Sequence, residues 1–323
     1  MSRYPRTILA TCCVPWRPDG EVDESIFRDS IRHLVANGLR DLYVFGTAGE
    51  GYAVCERRFD EVVAIFAEEC RALAVPPMVG IISLSLPTVI ERIERCLDRG
   101  IDLFQISLPS WGPLTGPELE LFFAETCGRF PTARFLHYNL PRAGRLVRPE
   151  EYATLAERHP NLVATKNSGA DVRTLAGLLH HAGALRHFVT ESGWVYGSLM
   201  GECGFLVSIA SINPALARSY FEAGLRRNAE ELGELARELA LITNALIETA
   251  GPAVHMDGAF DKVFNRLHDP RFSLRLLPPY VGFDEAACER FRTVLAEHYP
   301  RWLPSGSADG DIAARLERAT SAS

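Results

Sequence analysis

The stretch "PTVIERIERCLDRGIDLFQISL", residues 87–108, decides how the chain folds. Over 87–99 its apolar side chains recur three and four residues apart, the period of an amphipathic helix. "DRGID" then stops the helix, with a glycine free to take the left-handed conformation that closes a helix end. "LFQISL" (103–108) follows as a short β-rich run. The same sentence is written earlier, where "ANGLRD" leads into "LYVFG" (42–46).

Outward from that stretch the pattern repeats. Further β-rich runs are "TILATCCV" (7–14), "PMVGII" (77–82), "ARFLHYN" (133–139), "LVATK" (162–166), "HFVTE" (187–191) and "GFLVSIA" (204–210). Helical periodicity fills 23–37, 56–73, 117–130 and 149–159 between them. Regular alternation of strand and helix implies a parallel sheet. Eight units in about 210 residues fit a closed (β/α)8 TIM barrel, an α/β fold, better than an open sheet. The barrel is expected over 1–224, with a C-terminal helical extension packed on it over 225–300. Residues 301–323, rich in Ser, Ala and Gly, are expected to form a flexible tail.

Composition narrows the partners. The chain has 323 residues, 47% of them hydrophobic, enough for a large core, and a net charge of −7. An acidic balance argues against nucleic acid or an anionic membrane as the main partner. No apolar run is long enough to span a bilayer. The opening "MSRYPRTILATCCVPW" reads as a first strand rather than a leader, because Pro15 cuts its apolar segment short. Eight scattered cysteines form no C-x-x-C pair, which points to reduced thiols in a cytoplasmic protein. His180, His181 and His187 lack a matched carboxylate set, so no metal site is expected.

A barrel directs chemistry to the C-terminal ends of its strands. Of 34 lysines and arginines only Lys166 and Lys262 are lysine, so arginine is the default cation here. Lys166 ends the sixth run, and period two puts Leu162 and Ala164 on its face. A guanidinium stays protonated, whereas an amine can be a nucleophile. Burial is expected to lower the amine; bringing it from about 10.4 to near 7 takes roughly 4–5 kcal/mol. A neutral amine there can attack a ketone and form a Schiff base. The fifth run ends in "HYNLPRAG", where Tyr138 can relay protons at a reacting carbon and His137 faces the helices. The second ends in "FGTAGEG", where glycines let backbone N–H groups near Thr47 and Ala48 approach a small carboxylate.

These segments resemble a known family. "GTAGEG" is similar to the GTTGE-type loop of the dihydrodipicolinate synthase and N-acetylneuraminate lyase family. "YNLPRAG" resembles its YNxP segment and "ATKNSGAD" its Schiff-base segment. The resemblance covers about residues 5 to 300 and implies a class I aldolase or lyase on a (β/α)8 barrel. It implies a 2-keto acid substrate, most simply pyruvate, with an aldehyde partner, no cofactor, and a homotetramer or dimer. By position it makes Lys166 the iminium-forming lysine and Tyr138 the residue moving protons in dehydration and C–C chemistry. Thr47, with the backbone of Ala48, would hold the keto-acid carboxylate.

Departures from the family pattern shape the rest. Where the synthases carry a relay tyrosine reaching into a neighbouring subunit, this chain has Ser110 and Trp111 in "ISLPSWGPLT". That argues against a true dihydrodipicolinate synthase and makes Trp111 a candidate substrate contact, as in hydratase-aldolases. Arg142 or Arg145 is a candidate for a second substrate's carboxylate. "TESGWVYG" replaces a small polar turn, so Glu191, Ser192 and Trp194 are candidates for the variable pocket, together with Ser208. The rivals are a keto-deoxy sugar-acid dehydratase or hydratase-aldolase, and a barrel that binds a keto acid without catalysis.

Overall fold

Helix Leu86–Asp98 ends at Gly100, whose φ of +76° suits glycine, and strand Leu103–Ile106 follows at once. Ser85 caps the helix by accepting from the Thr88 amide, and Val89, Ile93 and Cys96 form its buried face. The computed structural model describes residues 3–169 and 171–304. In it the same unit recurs eight times. Strands β1 (Ile8–Cys12), β2 (Asp41–Val44), β3 (Pro77–Gly80), β4 (Leu103–Ile106), β5 (Arg134–Asn139), β6 (Leu162–Asn167), β7 (Arg186–Val189) and β8 (Gly204–Val207) pair in parallel, and β8 returns to β1. Around this closed barrel lie α1 (Glu24–Ala36), α2 (Glu56–Ala72), α3 (Leu86–Asp98), α4 (Gly116–Phe123), α5 (Pro149–Arg158), α6 (Val172–His181), α7 (Glu191–Met200) and α8 (Pro214–Arg226). The fold is the expected TIM barrel.

The barrel axis is filled by Leu9, Tyr43, Met78, Leu103, Leu136, Val163, Ala164, Phe188 and Leu206, floored by Tyr4. A second, larger cluster fills the layer between strands and helices. Burying each such aliphatic or aromatic side chain contributes roughly 1.5–3 kcal/mol. One pairing is irregular. Phe135 sits opposite Leu162 but Leu136 sits opposite Ala164, a bulge in β6 at Val163. Leu162 therefore turns outward into the helix layer, while Val163 and Ala164 both join the axial cluster. Strict alternation had put Leu162 on the face of Lys166; the bulge removes it.

Strand β2 also ends sooner than expected, because Phe45 leaves the ladder at φ +61°. Gly80, Gly49 and Gly51 all close on its backbone: a Cβ on Gly80 would stand 2.1 Å from the Phe45 carbonyl oxygen. These glycines make room for the neighbouring main chain.

The C-terminal extension is helical. Helix α9 (Ala229–Ala250) lies against α7 and α8, and α11 (Glu285–His298) against α9. Helix α10 (Asp257–His268) packs on the turn after β8 and meets the turn after β2 at Gly258, where a Cβ would lie 2.9 Å from the Ala48 carbonyl oxygen. The boundary expected at 224/225 falls in the last turn of α8. Of the expected tail, Trp302 is buried and donates to Glu238, and residues 305–323 lie outside the described residues. Among the described residues no helix is long and apolar enough to cross a membrane.

Candidate active site

Adjacent strands bring the first two candidates together. Tyr138 and Lys166 face each other in the β5–β6 register, and the Lys166 Nζ stands 3.9 Å from the centre of the Tyr138 ring. Lys166 is only 4% exposed. Its Nζ donates to the Tyr43 hydroxyl at 2.9 Å, reaching across the barrel to β2. The Tyr138 hydroxyl accepts from Ser168 Oγ at 3.0 Å. Asn139 ties down the loop after β5, its side chain donating to the Val147 carbonyl and accepting from the Val147 amide. His137 faces the helices, 2.6 Å from the Tyr152 hydroxyl.

The sequence does not single out Tyr43. Period two gives a strand two faces, and "DLYV" does not say which one meets the axis. A tyrosine among the branched aliphatic residues that usually fill a barrel was the available signal.

The protonation of Lys166 also differs from the expectation. Burial pulls its ammonium down, but the phenols of Tyr138 and Tyr43, with Asp257 behind them, outweigh it, and the net direction is up. Burial pushes the Tyr43 phenol up as well, against the pull of the Lys166 charge. The net direction favours the ammonium form, with Nζ held between two rings.

Thr47 is buried, and its turn is closed by the Glu50 amide donating to the Thr47 carbonyl at 3.1 Å. It lines a cleft of about 780 Å³ with Ser107, Ser110, Leu140 and Arg142. Glu191, Ser192 and Ser208 line a second cavity of about 500 Å³, roofed by α9 and α10. The ion pair of Arg142 with Asp257, at 3.1 and 3.3 Å, joins the two walls, since each partner lines one cavity. Glu191 is partly committed: its Oε1 accepts from the Ser208 amide at 2.7 Å and the Ala210 amide at 3.1 Å. Burial pushes its pKa up against those bonds.

Three sequence candidates do not reach the site. Trp111 is 90% exposed and lines neither cavity. Trp194 is a core residue, donating to the Tyr220 carbonyl and stacking with Phe221, because its segment is the start of α7 and not a turn. Arg145 is held by the Leu114 carbonyl at 2.6 Å and Glu151 at 2.5 Å. Conversely, Asp261 on α10 is a site group the sequence did not reveal. It is buried beside Ser208 and pushed up to about 8 by burial, then by Asp257, with Lys166 opposing. The other lysine, Lys262, pairs with Glu50 of the "GTAGEG" turn.

The model of the Dihydrodipicolinate synthetase family matches residues 4–256. The chain belongs to that family. A 4-hydroxy-tetrahydrodipicolinate synthase of Nitratidesulfovibrio vulgaris (strain Miyazaki F) is 25% identical over 293 residues, covering 87% of this chain and 94% of the relative. Two solved structures share the fold. YagE, a prophage protein of the dihydrodipicolinic acid synthase family from E. coli K12, solved with pyruvate, superposes with a TM-score of 0.79 at 18% identity, covering 90% of this chain and 98% of its own. CdNal from Clostridium difficile, solved with mannosamine, gives 0.78 at 18% identity, with coverage of 90% and 98%. Membership of the Dihydrodipicolinate synthetase family supports, at the level of reaction class, a Schiff-base lyase or aldolase that uses pyruvate.

Proposed function

We propose that the chain forms a Schiff base between Lys166 and pyruvate or a close 2-keto acid, then makes or breaks a C–C bond to an aldehyde. The observation that carries this reading is the Lys166 amine, buried at the C-terminal end of β6 and held between the Tyr138 ring and the Tyr43 hydroxyl. The carboxylate of the keto acid would sit on the turn after β2, against Thr47 and the backbone of Ala48. Nζ attacks the keto carbon. The resulting iminium draws electrons from the neighbouring carbon and so makes the C–C step accessible without a metal. Tyr138, its hydroxyl oriented by Ser168, moves the proton of that step.

The aldehyde would occupy the space between Arg142 and the cavity holding Glu191 and Ser208. That cavity has apolar walls from Leu239, Phe260 and Phe264, which favours a partner with an apolar body, as a hydratase-aldolase would take. Ser110 and Trp111, in place of a relay tyrosine, argue against dihydrodipicolinate synthesis. Eight free thiols suit a reducing cytoplasm, and the exposed indole of Trp111 suits a homo-oligomer, dimer or tetramer, that covers it.

Borohydride reduction in the presence of pyruvate tests the reading. The expected result is a stable adduct on the Lys166 peptide. Calorimetric binding of pyruvate with no adduct on the folded protein would instead mark a keto-acid-binding barrel without catalysis.

A further inference from the structure

Lys166 meets its two tyrosines in different ways. It lies over the face of Tyr138, whose hydroxyl is turned to Ser168, and donates its hydrogen bond to the hydroxyl of Tyr43. The Tyr43 ring is fixed: it packs in the axial cluster, and at Gly46 a Cβ would stand 2.5 Å from its Cε2. Beside Gly46, the Gln105 amide is buried with neither its oxygen nor its nitrogen hydrogen-bonded among the described residues. The hydroxyl in contact with the reactive nitrogen is thus held by packing and aimed at Nζ.

We propose that Tyr43 is a catalytic residue that carries protons from the Lys166 nitrogen to the substrate's keto oxygen. The proposal rests on the Schiff-base reading of Lys166 and assigns to Tyr43 the dehydration transfers that the family pattern gives to Tyr138. As Nζ passes a proton to the Tyr43 oxygen, Tyr43 gives its own to the keto oxygen. The freed lone pair forms the N–C bond while the carbonyl π pair moves to that oxygen. A second exchange sends another Nζ proton the same way. The oxygen then leaves as water with the C–O bonding pair, and the nitrogen pair closes the C=N bond. Tyr43 ends each round with one proton, and the iminium keeps one N–H and the positive charge. An ammonium in the resting site is the right starting state, because its two surplus protons depart in the water.

The test compares the rate of borohydride-trapped labelling of Lys166 by saturating pyruvate in the wild type, Tyr43→Phe and Tyr138→Phe. Removal of a proton carrier should slow labelling in Tyr43→Phe by about 10²-fold or more. Charged and titratable groups around Nζ come from β2 (Tyr43), β5 (Tyr138) and α10 (Asp257, Asp261). Loss of the Tyr43 hydroxyl alone removes an acceptor for the ammonium, so the midpoint of labelling rate against pH should fall. A packing defect would slow labelling without moving that midpoint. Should Tyr43→Phe not fold, a proton inventory on the wild type in mixed H2O and D2O decides: a curved plot, from two protons moving together, is expected, and a straight line overturns the assignment. Equal rates and midpoints in wild type and Tyr43→Phe overturn it too. Absence of any labelling in the wild type overturns the Schiff-base reading and this assignment with it.

Discussion

Lys262 and Glu50 form an ion pair with both side chains wholly buried, Nζ 2.5 Å from Oε1. Glu50 also accepts from the Trp16 indole at 2.8 Å and the Leu277 amide at 2.7 Å, and Lys262 donates to the Arg275 carbonyl. The pair ties α10 to the turn that carries Thr47. Phe45 and Glu50, on either side of that turn, both hold φ +61°, a conformation that costs of order 1–3 kcal/mol each unless the surroundings enforce it. The chain's second lysine thus holds the turn after β2, which carries Thr47, in place.

Lys262→Met should therefore destabilise the fold by about 3–5 kcal/mol, since it leaves Glu50 buried without its counter-charge. The double variant Glu50→Gln/Lys262→Met should lose less. Urea denaturation of the two proteins measures both, and equal losses would show that the pair is not coupled.

Asp261 sets a pH dependence. Burial, then the neighbouring Asp257, pushes its carboxyl up from the ordinary carboxylate range to about 8, so the fold favours the protonated acid. The stability it contributes is complete below about pH 4 and is lost as pH rises towards 8. Asp257 on the same helix and Glu191 after β7 add to the repulsion, while Lys166 opposes it. Asp261→Asn should flatten the stability profile between those values and raise the melting temperature at pH 8. Parallel wild-type and variant curves across that window would rule the idea out.

Arg142 and Asp257 are both substantially exposed, so Arg142→Ala should change stability by no more than about 1 kcal/mol. Its effect should fall on the second substrate. We expect the KM for carboxylate-bearing aldehydes to rise while labelling of Lys166 by pyruvate stays unchanged. A loss of pyruvate labelling would move Arg142 to the keto-acid side.

Of the four tryptophans, Trp16, Trp194 and Trp302 are buried and Trp111 is exposed. Acrylamide quenching should therefore come almost wholly from Trp111 in dilute protein. It should fall as concentration drives assembly, if the loop after β4 is the contact. Quenching that stays constant while sedimentation reports a larger species would place the contact elsewhere.

The barrel was legible because helix-stop glycines and short β-rich runs alternate at regular spacing, as in 87–108. Strand ends were less so, since Phe45 leaves β2 at φ +61° in space that three glycines from separate positions leave open. The bulge at Val163 was hidden too: in "LVA" every residue is apolar, so a one-residue slip leaves no mark in the pattern. "TESGWVYG" is placed by the family pattern, which has a small polar turn there. In the fold Gly193 and Gly197 sit in a helix, pressed against Val189 and Cys203. Lys166 and Tyr138 could be paired from the sequence because adjacent strands hold them. Tyr43 and Asp261 could not, because they arrive from across the barrel and from α10, and only closure brings them to the amine.

A crystal soaked in pyruvate tests the central claim most directly. The predicted result is electron density continuous from the Lys166 Nζ to the keto carbon, with the carboxylate against Thr47 and Ala48 and the Tyr43 hydroxyl beside the new bond. Pyruvate bound with a clear gap to Nζ, or seated away from Lys166 altogether, would contradict it.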